Sequence, residues 1–192
     1  MSTLRVIGGK ARGMRLRTVP GDTTRPITDR ARESLFNILG MDIEDATLLD
    51  LFAGTGAVGI EALSRGAQLV RFIDLNRAAV EVIRANLAAT RLGSSADVIR
   101  QDAFAYLSGP LERQYNYVFV APPQYKELWK RAMQELDARP EWLTDDAWVI
   151  VQIHPVEYQA LELQHLREFD QRKYGSVLFI FYERPEQEPE DL

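Results

Sequence analysis

LDLFAGTGAVG, at residues 49–59, is the stretch that decides the fold. An apolar strand ends at Asp50, the chain turns through glycines, and small residues start a helix. Gly54 and Gly56 can adopt backbone angles that a side chain forbids, and Gly59 lets the helix lie close to the strand. This order of strand, glycine turn and helix is typical of α/β proteins that hold a nucleotide-like cofactor.

Three acids near this turn narrow the choice of cofactor. The glycine spacing fits both NAD and S-adenosylmethionine, and Asp74 ends the next apolar run at a suitable distance to bind a ribose hydroxyl. Asp50 would repel an anionic pyrophosphate but suits the positive ammonium and sulfonium groups of S-adenosylmethionine. Asp102 follows a third strand-like run, where it can accept a hydrogen bond from the amine of adenine. We favour S-adenosylmethionine; solvent-exposed loop acids are the alternative.

The composition describes one globular domain without metal or thiol chemistry. The chain has 192 residues, of which 46% are hydrophobic and 27% charged. The lack of cysteine excludes disulfides, thiolate catalysis and cysteine-based zinc sites, and two histidines do not favour a metal site. No apolar run has the length of a membrane span and the N-terminus is not signal-like, so we expect a cytoplasmic protein without membrane contact. A monomer is the default expectation.

The charge is unevenly distributed along the chain. Residues 1–33 contain eight Lys or Arg and three acids, although the whole chain has a net charge of −5. A basic arm on an acidic body suggests contact with a polyanion, and a solvated basic face is the alternative. Within this arm, Lys10 and Arg12 lie in a glycine-rich loop and are candidates to contact RNA phosphates.

Alternating patterns predict a doubly wound, Rossmann-like fold with a mostly parallel sheet. Strands are predicted at 47–51, 69–74, 96–100, 115–121 and 146–154. Helices are predicted at 57–65, 76–91, 103–108 and 124–137. A C-terminal antiparallel hairpin is expected at 165–173 and 177–184. We therefore expect an S-adenosylmethionine-binding domain of this fold over residues 41–185.

Segments on either side complete the predicted organisation. Residues 1–40 read as a basic extension, with a β-hairpin made by 4–7 and 14–19 and then a helix that ends at Leu39. The apolar stripe of this helix should pack on the body, whereas Arg32 lies off that stripe. The acidic tail at 186–192 is expected to be disordered.

A second motif follows the fourth predicted strand, which should lie beside the first at the topological switch point. It reads Ala121-Pro122-Pro123-Gln124-Tyr125. Consecutive prolines hold the chain extended and leave carbonyls that can accept hydrogen bonds from an exocyclic amine. An aromatic ring can stack on the base. The candidate catalytic residues are Ala121, Pro122, Pro123 and Tyr125.

Two segments together resemble a known family. RPITDRARESLFNIL at 25–39, combined with LDLFAGTGAVGIEALSRGA at 49–67, is similar to the RsmD-type methyltransferases, which methylate guanine N2 in bacterial 16S ribosomal RNA. The resemblance covers most of residues 4–125. It implies a ribosomal RNA or small-subunit partner and transfer of a methyl group from S-adenosylmethionine to guanine N2. The cofactor pocket would comprise Asp50, Phe52, Gly54, Gly56, Asp74, Leu75, Asp102 and Ala103, and the RNA contacts would include Arg25, Asp29 and Arg32.

The fourth-strand motif departs from this family pattern. The family carries Asp-Pro-Pro followed by Phe or Tyr, whereas this chain has Ala121 in place of the acid and Gln124 in place of the aromatic. An acid that accepts from the amine N–H helps to orient its lone pair, an effect typically worth ~10²–10⁴-fold. Another acid such as Asp29 is a candidate substitute. N6-adenine methylation and a non-catalytic protein that binds S-adenosylmethionine and RNA are the alternatives.

Overall fold

The computed structural model describes residues 4–21 and 27–185. Within these ranges, five α-helices and seven β-strands follow one another, with 3₁₀ turns between some of them. The helices are α1 (Asp29–Leu39), α2 (Ala57–Ser64), α3 (Arg77–Thr90), α4 (Ala103–Ser108) and α5 (Leu128–Ala138). The strands are β1 (Thr47–Asp50), β2 (Leu69–Asp74), β3 (Ala96–Arg100), β4 (Tyr115–Val120), β5 (Leu143–Ile153), β6 (Arg167–Tyr174) and β7 (Val177–Glu183). Short 3₁₀ helices occupy Gly40–Ile43, Gly93–Ser95, Pro140–Trp142 and Pro155–Glu157.

One seven-stranded sheet carries the fold. Its order is β3-β2-β1-β4-β5-β7-β6. Neighbours among the first five strands run parallel, and β7 is antiparallel to both β5 and β6. The predicted doubly wound α/β class and the C-terminal antiparallel hairpin are confirmed. The order reverses between β1 and β4, and that reversal is where open parallel sheets bind their ligands.

Two buried layers cover the faces of the sheet. On one face, apolar residues of the N-terminal segment, α1, α2 and α3 form a single cluster with residues from the sheet. On the other face, α4 and α5 pack against the inward residues of β4, β5 and β7. Within the described ranges, no helix is long and apolar enough to cross a membrane.

Helix α2 lies unusually close to the sheet. All eight of its residues are buried. A Cβ atom added at Gly59 would lie 2.3 Å from the ring of Phe72 and 2.8 Å from a methyl group of Val70 on β2. Because ring and strand are both enclosed by neighbours, neither can yield easily. The predicted role of Gly59 in close helix–strand packing is confirmed.

The N-terminal segment differs from the predicted two-stranded hairpin. Its two arms share one isolated bridge, between Arg5 and Arg15, with backbone bonds such as the Val6 N–H to the Met14 carbonyl (2.9 Å). The remaining backbone groups are partly taken by side chains of the body, because Asn86 exchanges two hydrogen bonds with the backbone of Arg17 (2.7 and 3.1 Å). Tertiary contacts therefore replace part of the local strand pairing.

Four further expectations need correction or fall outside the described residues. Helix α5 begins at Leu128 and not at 124, because Tyr125 and Glu127 adopt positive φ angles of 61° and 54° that a helix does not allow. Strand β5 begins at Leu143, three residues before the predicted start. Arg25 and the tail at 186–192 lie outside the described residues.

Replacing Gly59 with alanine tests this close packing. We expect Gly59→Ala to lower the free energy of unfolding by roughly 1–3 kcal/mol, because the new methyl group overpacks the interface with Phe72. Gly93→Ala is the matched control, since a Cβ there meets nothing within 4 Å. Urea unfolding of both variants measures the difference, and equal stability of the two would contradict the packing argument.

Candidate functional site

A cavity of about 800 Å³ opens at the carboxyl ends of the parallel strands. This volume lies in the range of small-molecule and cofactor sites. Its lining includes a residue near the carboxyl end of each parallel strand: Asp50, Asp74, Asp102, Ala121 and Gln152. Pro20, Gly21 and Ile27 of the N-terminal region also line it. The cavity thus lies at the switch point between β1 and β4.

Most of the predicted pocket residues lie together in this cavity. The predicted cofactor residues that line it are Asp50, Phe52, Gly54, Asp74, Leu75, Asp102 and Ala103, and the predicted motif residues that line it are Ala121, Pro122 and Pro123. Gly56 lies outside the lining, at the N-cap of α2 with φ 76°. Tyr125 also lies outside it. Their functional roles remain predictions.

Asp50 has a buried carboxyl group, and one oxygen of that group lacks a hydrogen-bond partner among the described residues. Its side chain is only 2% exposed, and within the described part of the chain its Oδ1 atom has no hydrogen-bond partner. Burial and the neighbouring Asp74 raise its pKa from 3.8 to about 8, and a backbone hydrogen bond from Gly59 offsets part of this. A cation placed beside it would restore the charged form. The ammonium group of S-adenosylmethionine fits this requirement, whereas a pyrophosphate does not.

Asp74 holds the glycine turn in position. Its Oδ2 atom accepts the N–H of Gly54 (2.8 Å), and its Oδ1 atom accepts the N–H of Asn76 (2.8 Å). Because an ionised carboxylate has about four acceptor positions, it can still accept from hydroxyl groups in the cavity. The end of β2 and the turn after β1 are therefore fastened to each other.

Asp102 serves as the N-cap of α4. Its Oδ1 atom accepts the N–H groups of Phe104 (3.0 Å) and Ala105 (2.9 Å). This fixes the carboxylate at the cavity wall, where its other oxygen can accept from an amine. Apolar surface lies beside it, because Phe52 and Phe104 meet edge to face at 6.0 Å and Leu75 is 61% exposed. Such walls suit a flat heteroaromatic ring.

The segment after β4 contains a buried proline and an exposed tyrosine. Pro122 is buried, whereas Tyr125 is 65% exposed with its ring 5.9 Å from that of His154. The N–H of Tyr125 donates to Oε1 of Glu157 (2.7 Å), which holds the residue in its left-handed conformation at a cost of ~1–2 kcal/mol. The phenol is therefore available to solvent beside the segment that lines the cavity.

Two of the predicted RNA contacts have other roles in the structure. Arg32 is completely buried, so the prediction that it contacts RNA is wrong for this conformation. It donates to the carbonyl of Arg5, and its Nε lies 3.5 Å from a carboxylate oxygen of Glu61. Asp29 forms ion pairs with Arg5 and Arg32, at 3.2 Å each, and does not line the cavity. A catalytic substitution by Asp29 therefore gains no support.

Lys10 and Arg12 are exposed on a loop whose backbone is hydrogen-bonded to the end of α2. Ser64 at the end of α2 accepts the N–H of Ala11 (2.9 Å) and donates to the carbonyl of Gly8 (2.6 Å). The Lys10 N–H also donates to the backbone carbonyl of Ser64 (2.7 Å). The loop backbone is thus held against the body while both cations face solvent.

Sequence reasoning missed two residues of the site region. Glu61 on α2 is 1% exposed and accepts the N–H groups of Ile7 and Gly8, at 2.8 Å each, in addition to its pairing with Arg65 (2.8 Å). Its position inside a run of small and apolar residues was the available signal. Gln152 lines the cavity from β5, and a lone amide within the apolar run VIVQI was the corresponding signal.

Comparison with known proteins gives concordant matches. A family model described as "Conserved hypothetical protein 95" matches residues 4–183. The chain is 40% identical over 149 residues to "Ribosomal RNA small subunit methyltransferase D" of Escherichia coli K12. The matched region covers 78% of this chain and 74% of that relative. The chain is 37% identical over 151 residues to "Putative rRNA methyltransferase YlbH" of Bacillus subtilis, at 78% and 82% coverage. A solved structure, the putative methyltransferase yhhF from Escherichia coli, superposes with a TM-score of 0.83 at 35% identity, covering 97% of this chain and all of that one.

The raised pKa of Asp50 predicts opposite effects of Asp50→Asn on stability and on binding. Without ligand, the folded state retains a proton that the unfolded state loses above pH 3.8, so stability decreases as pH rises towards 8. We expect Asp50→Asn to remove this decrease, at up to about 1.4 kcal/mol per pH unit, and to weaken binding of S-adenosylmethionine at least tenfold. Chemical unfolding from pH 5 to 8 and calorimetric titration provide the two measurements.

Asp145→Asn is the control for this substitution, because the Asp145 side chain is 99% exposed. It should change neither the pH profile nor binding. If Asp50→Asn has the same pH profile of stability as the unaltered protein, the buried carboxyl group does not titrate as described.

Proposed function

The chain belongs to the family described as "Conserved hypothetical protein 95", and from that premise we propose that it transfers a methyl group from S-adenosylmethionine to the exocyclic N2 of a guanine in small-subunit ribosomal RNA. Support for ribosomal RNA as the substrate comes from the names of its relatives. Support for N2 of guanine comes from the resemblance of the Arg25–Leu39 and Leu49–Ala67 segments to the RsmD-type enzymes.

One observation carries the proposal. A single cavity contains both the buried carboxyl group of Asp50, whose Oδ1 atom has no hydrogen-bond partner among the described residues, and the Ala121–Pro123 segment. The first requires a cation, and the second presents extended backbone that can receive a planar base with an amine. A methyl donor and an acceptor base therefore have adjacent positions in one space, which is the arrangement that proximity catalysis requires.

Each part of the cavity has a distinct task in this proposal. Asp50 would hold the ammonium end, Asp74 the ribose hydroxyls and Asp102 the adenine amine. S-adenosylmethionine supplies a methyl group on a positively charged sulfur, and transfer neutralises that charge, so no strong base is needed beforehand. The carbonyls of Ala121 and Pro122 would accept from the target amine, because the following prolines have no N–H to compete for them.

RNA would approach across the basic N-terminal segment, which also supplies part of the cavity lining. Lys10 and Arg12 are its proposed phosphate contacts, and the segment that includes Arg25 lies outside the described residues. Tyr125 is exposed beside the motif and would stack on the target base, which is worth roughly 1–3 kcal/mol.

A non-catalytic protein that binds S-adenosylmethionine and RNA is the second candidate. The observation in its favour is Ala121, which places a methyl group and not a carboxylate at the end of β4. Methylation of adenine N6 is a further alternative, because the same carbonyls can accept from that amine.

A labelling experiment distinguishes the three candidates. The protein is incubated with methyl-labelled S-adenosylmethionine and small ribosomal subunits from cells that lack this modification, and the labelled nucleoside is identified. We expect N2-methylguanosine. N6-methyladenosine would indicate the adenine enzyme, and no label despite cofactor binding in calorimetry would indicate the binding protein.

Replacement of the loop cations tests the RNA surface. We expect Lys10→Ala combined with Arg12→Ala to weaken RNA binding and to reduce the slope of log affinity against log salt by roughly 1–2. The reason is that RNA releases fewer counterions on binding when the protein makes fewer phosphate contacts. Arg172→Ala combined with Lys173→Ala, on β6, is the charge-matched control. An unchanged salt slope in the loop variant would eliminate this surface.

A further inference from the structure

Gln152 is an isolated polar residue in the interior strand β5. Its neighbours on the strand, Val151 and Ile153, are buried and apolar, and its own side chain lines the cavity. Within the described residues, its Oε1 atom is shielded from solvent and has no hydrogen-bond partner. An amide oxygen in that state is unfavourable and gains from any N–H donor that reaches it.

Strand register places this amide beside the proline motif. β4 and β5 are parallel, and Val120 pairs with Val151. Continuing this register brings Ala121 next to Gln152, with adjacent strands about 4.7–4.9 Å apart. Both residues line the cavity. Because Ala121 ends in a methyl group, the Gln152 amide is the side-chain acceptor that this register sets beside the end of β4 on its β5 side.

The three carboxyl groups and the second glutamine that line the cavity have different positions. Asp50, Asp74 and Asp102 lie at the ends of β1, β2 and β3, on the side that would hold the cofactor. Gln124 lies in the exposed segment after the prolines. Gln152 alone among these five is on β5, the strand on the far side of β4 from the acids.

The proposed reaction needs an acceptor at this place. The lone pair of an exocyclic amine is delocalised into the ring, so the amine reacts poorly unless its N–H groups are held by acceptors that turn the lone pair out of conjugation. The amide of Gln152 can rotate by a half-turn, which exchanges its oxygen and nitrogen between positions of equal size. After such a half-turn, the oxygen would occupy the position that the amide nitrogen holds now.

We propose that Gln152 is a catalytic residue whose amide oxygen accepts an N–H of the target amine and orients its lone pair. This inference rests on the proposed function. The amine nitrogen forms the new N–C bond as the C–S bond breaks with its electron pair passing to sulfur. The surplus proton leaves to water, because a neutral amide does not retain it.

Two substitutions of Gln152 and one control test the inference in the labelling assay. Gln152→Met keeps the length of the side chain but removes the acceptor, so we expect kcat to fall about 10- to 100-fold. The dissociation constant for S-adenosylmethionine should stay unchanged, and the thermal midpoint should not fall, because the substitution removes a buried oxygen that has no partner among the described residues. Gln134→Met, at an exposed position of α5 outside the cavity lining, is the matched control and should retain kcat within about twofold.

Gln152→Glu provides a pH dependence of kcat that would not arise if Gln152 had only a structural role. A glutamate is a stronger acceptor when it is ionised than when it is protonated, so its kcat should rise with pH through the pKa of the new carboxyl group, whereas the unaltered protein lacks this rise. This readout remains available if Gln152→Met is unstable.

The outcomes separate the two proposals. Transfer by the unaltered protein, together with full kcat in Gln152→Met or no added rise of kcat with pH in an active Gln152→Glu, would overturn the role of Gln152 alone. An absence of transfer by the unaltered protein on subunits that lack the modification would overturn the proposed function and the role of Gln152 with it.

Discussion

The close contact between α2 and β2 is the constraint on which the rest of the site depends. Gly59 faces the ring of Phe72 at a distance that leaves no room for a methyl group, so the helix can lie directly on the sheet. The start of α2 is the glycine turn, and its position sets where Gly54 meets the carboxylate of Asp74. A small outward shift of the helix would separate the turn from the acids that line the cavity.

The same helix fastens the N-terminal segment to the body. Glu61 in its middle accepts two backbone N–H groups of that segment, and Ser64 at its end holds the loop that carries Lys10 and Arg12. Arg32 completes this buried arrangement and compensates the charge of Glu61. The proposed RNA surface and the cofactor turn are thus attached to opposite ends of one short, rigid element, which keeps them in a defined relation.

Two of the buried polar atoms that have no hydrogen-bond partner within the described residues lie where the chemistry is proposed. Asp50 carries a pKa raised by burial, and Gln152 carries an unpaired amide oxygen, and both line one cavity. Such groups cost stability in the ligand-free protein, and a cation or an N–H donor that enters the cavity removes that cost. The protein therefore stores part of its binding free energy in the unliganded site.

The sequence by itself determined the α/β class, the terminal antiparallel hairpin and the acids at the ends of β1, β2 and β3, because strand alternation and glycine turns are patterns of neighbouring residues. It placed helix boundaries less well where Tyr125 and Glu127 take left-handed conformations that no local pattern specifies. Only the tertiary structure decided that Arg32 is buried against Glu61 and that Gln152 lies beside Ala121. Each of these joins residues about thirty positions apart, and burial and register between such residues depend on how whole elements pack together.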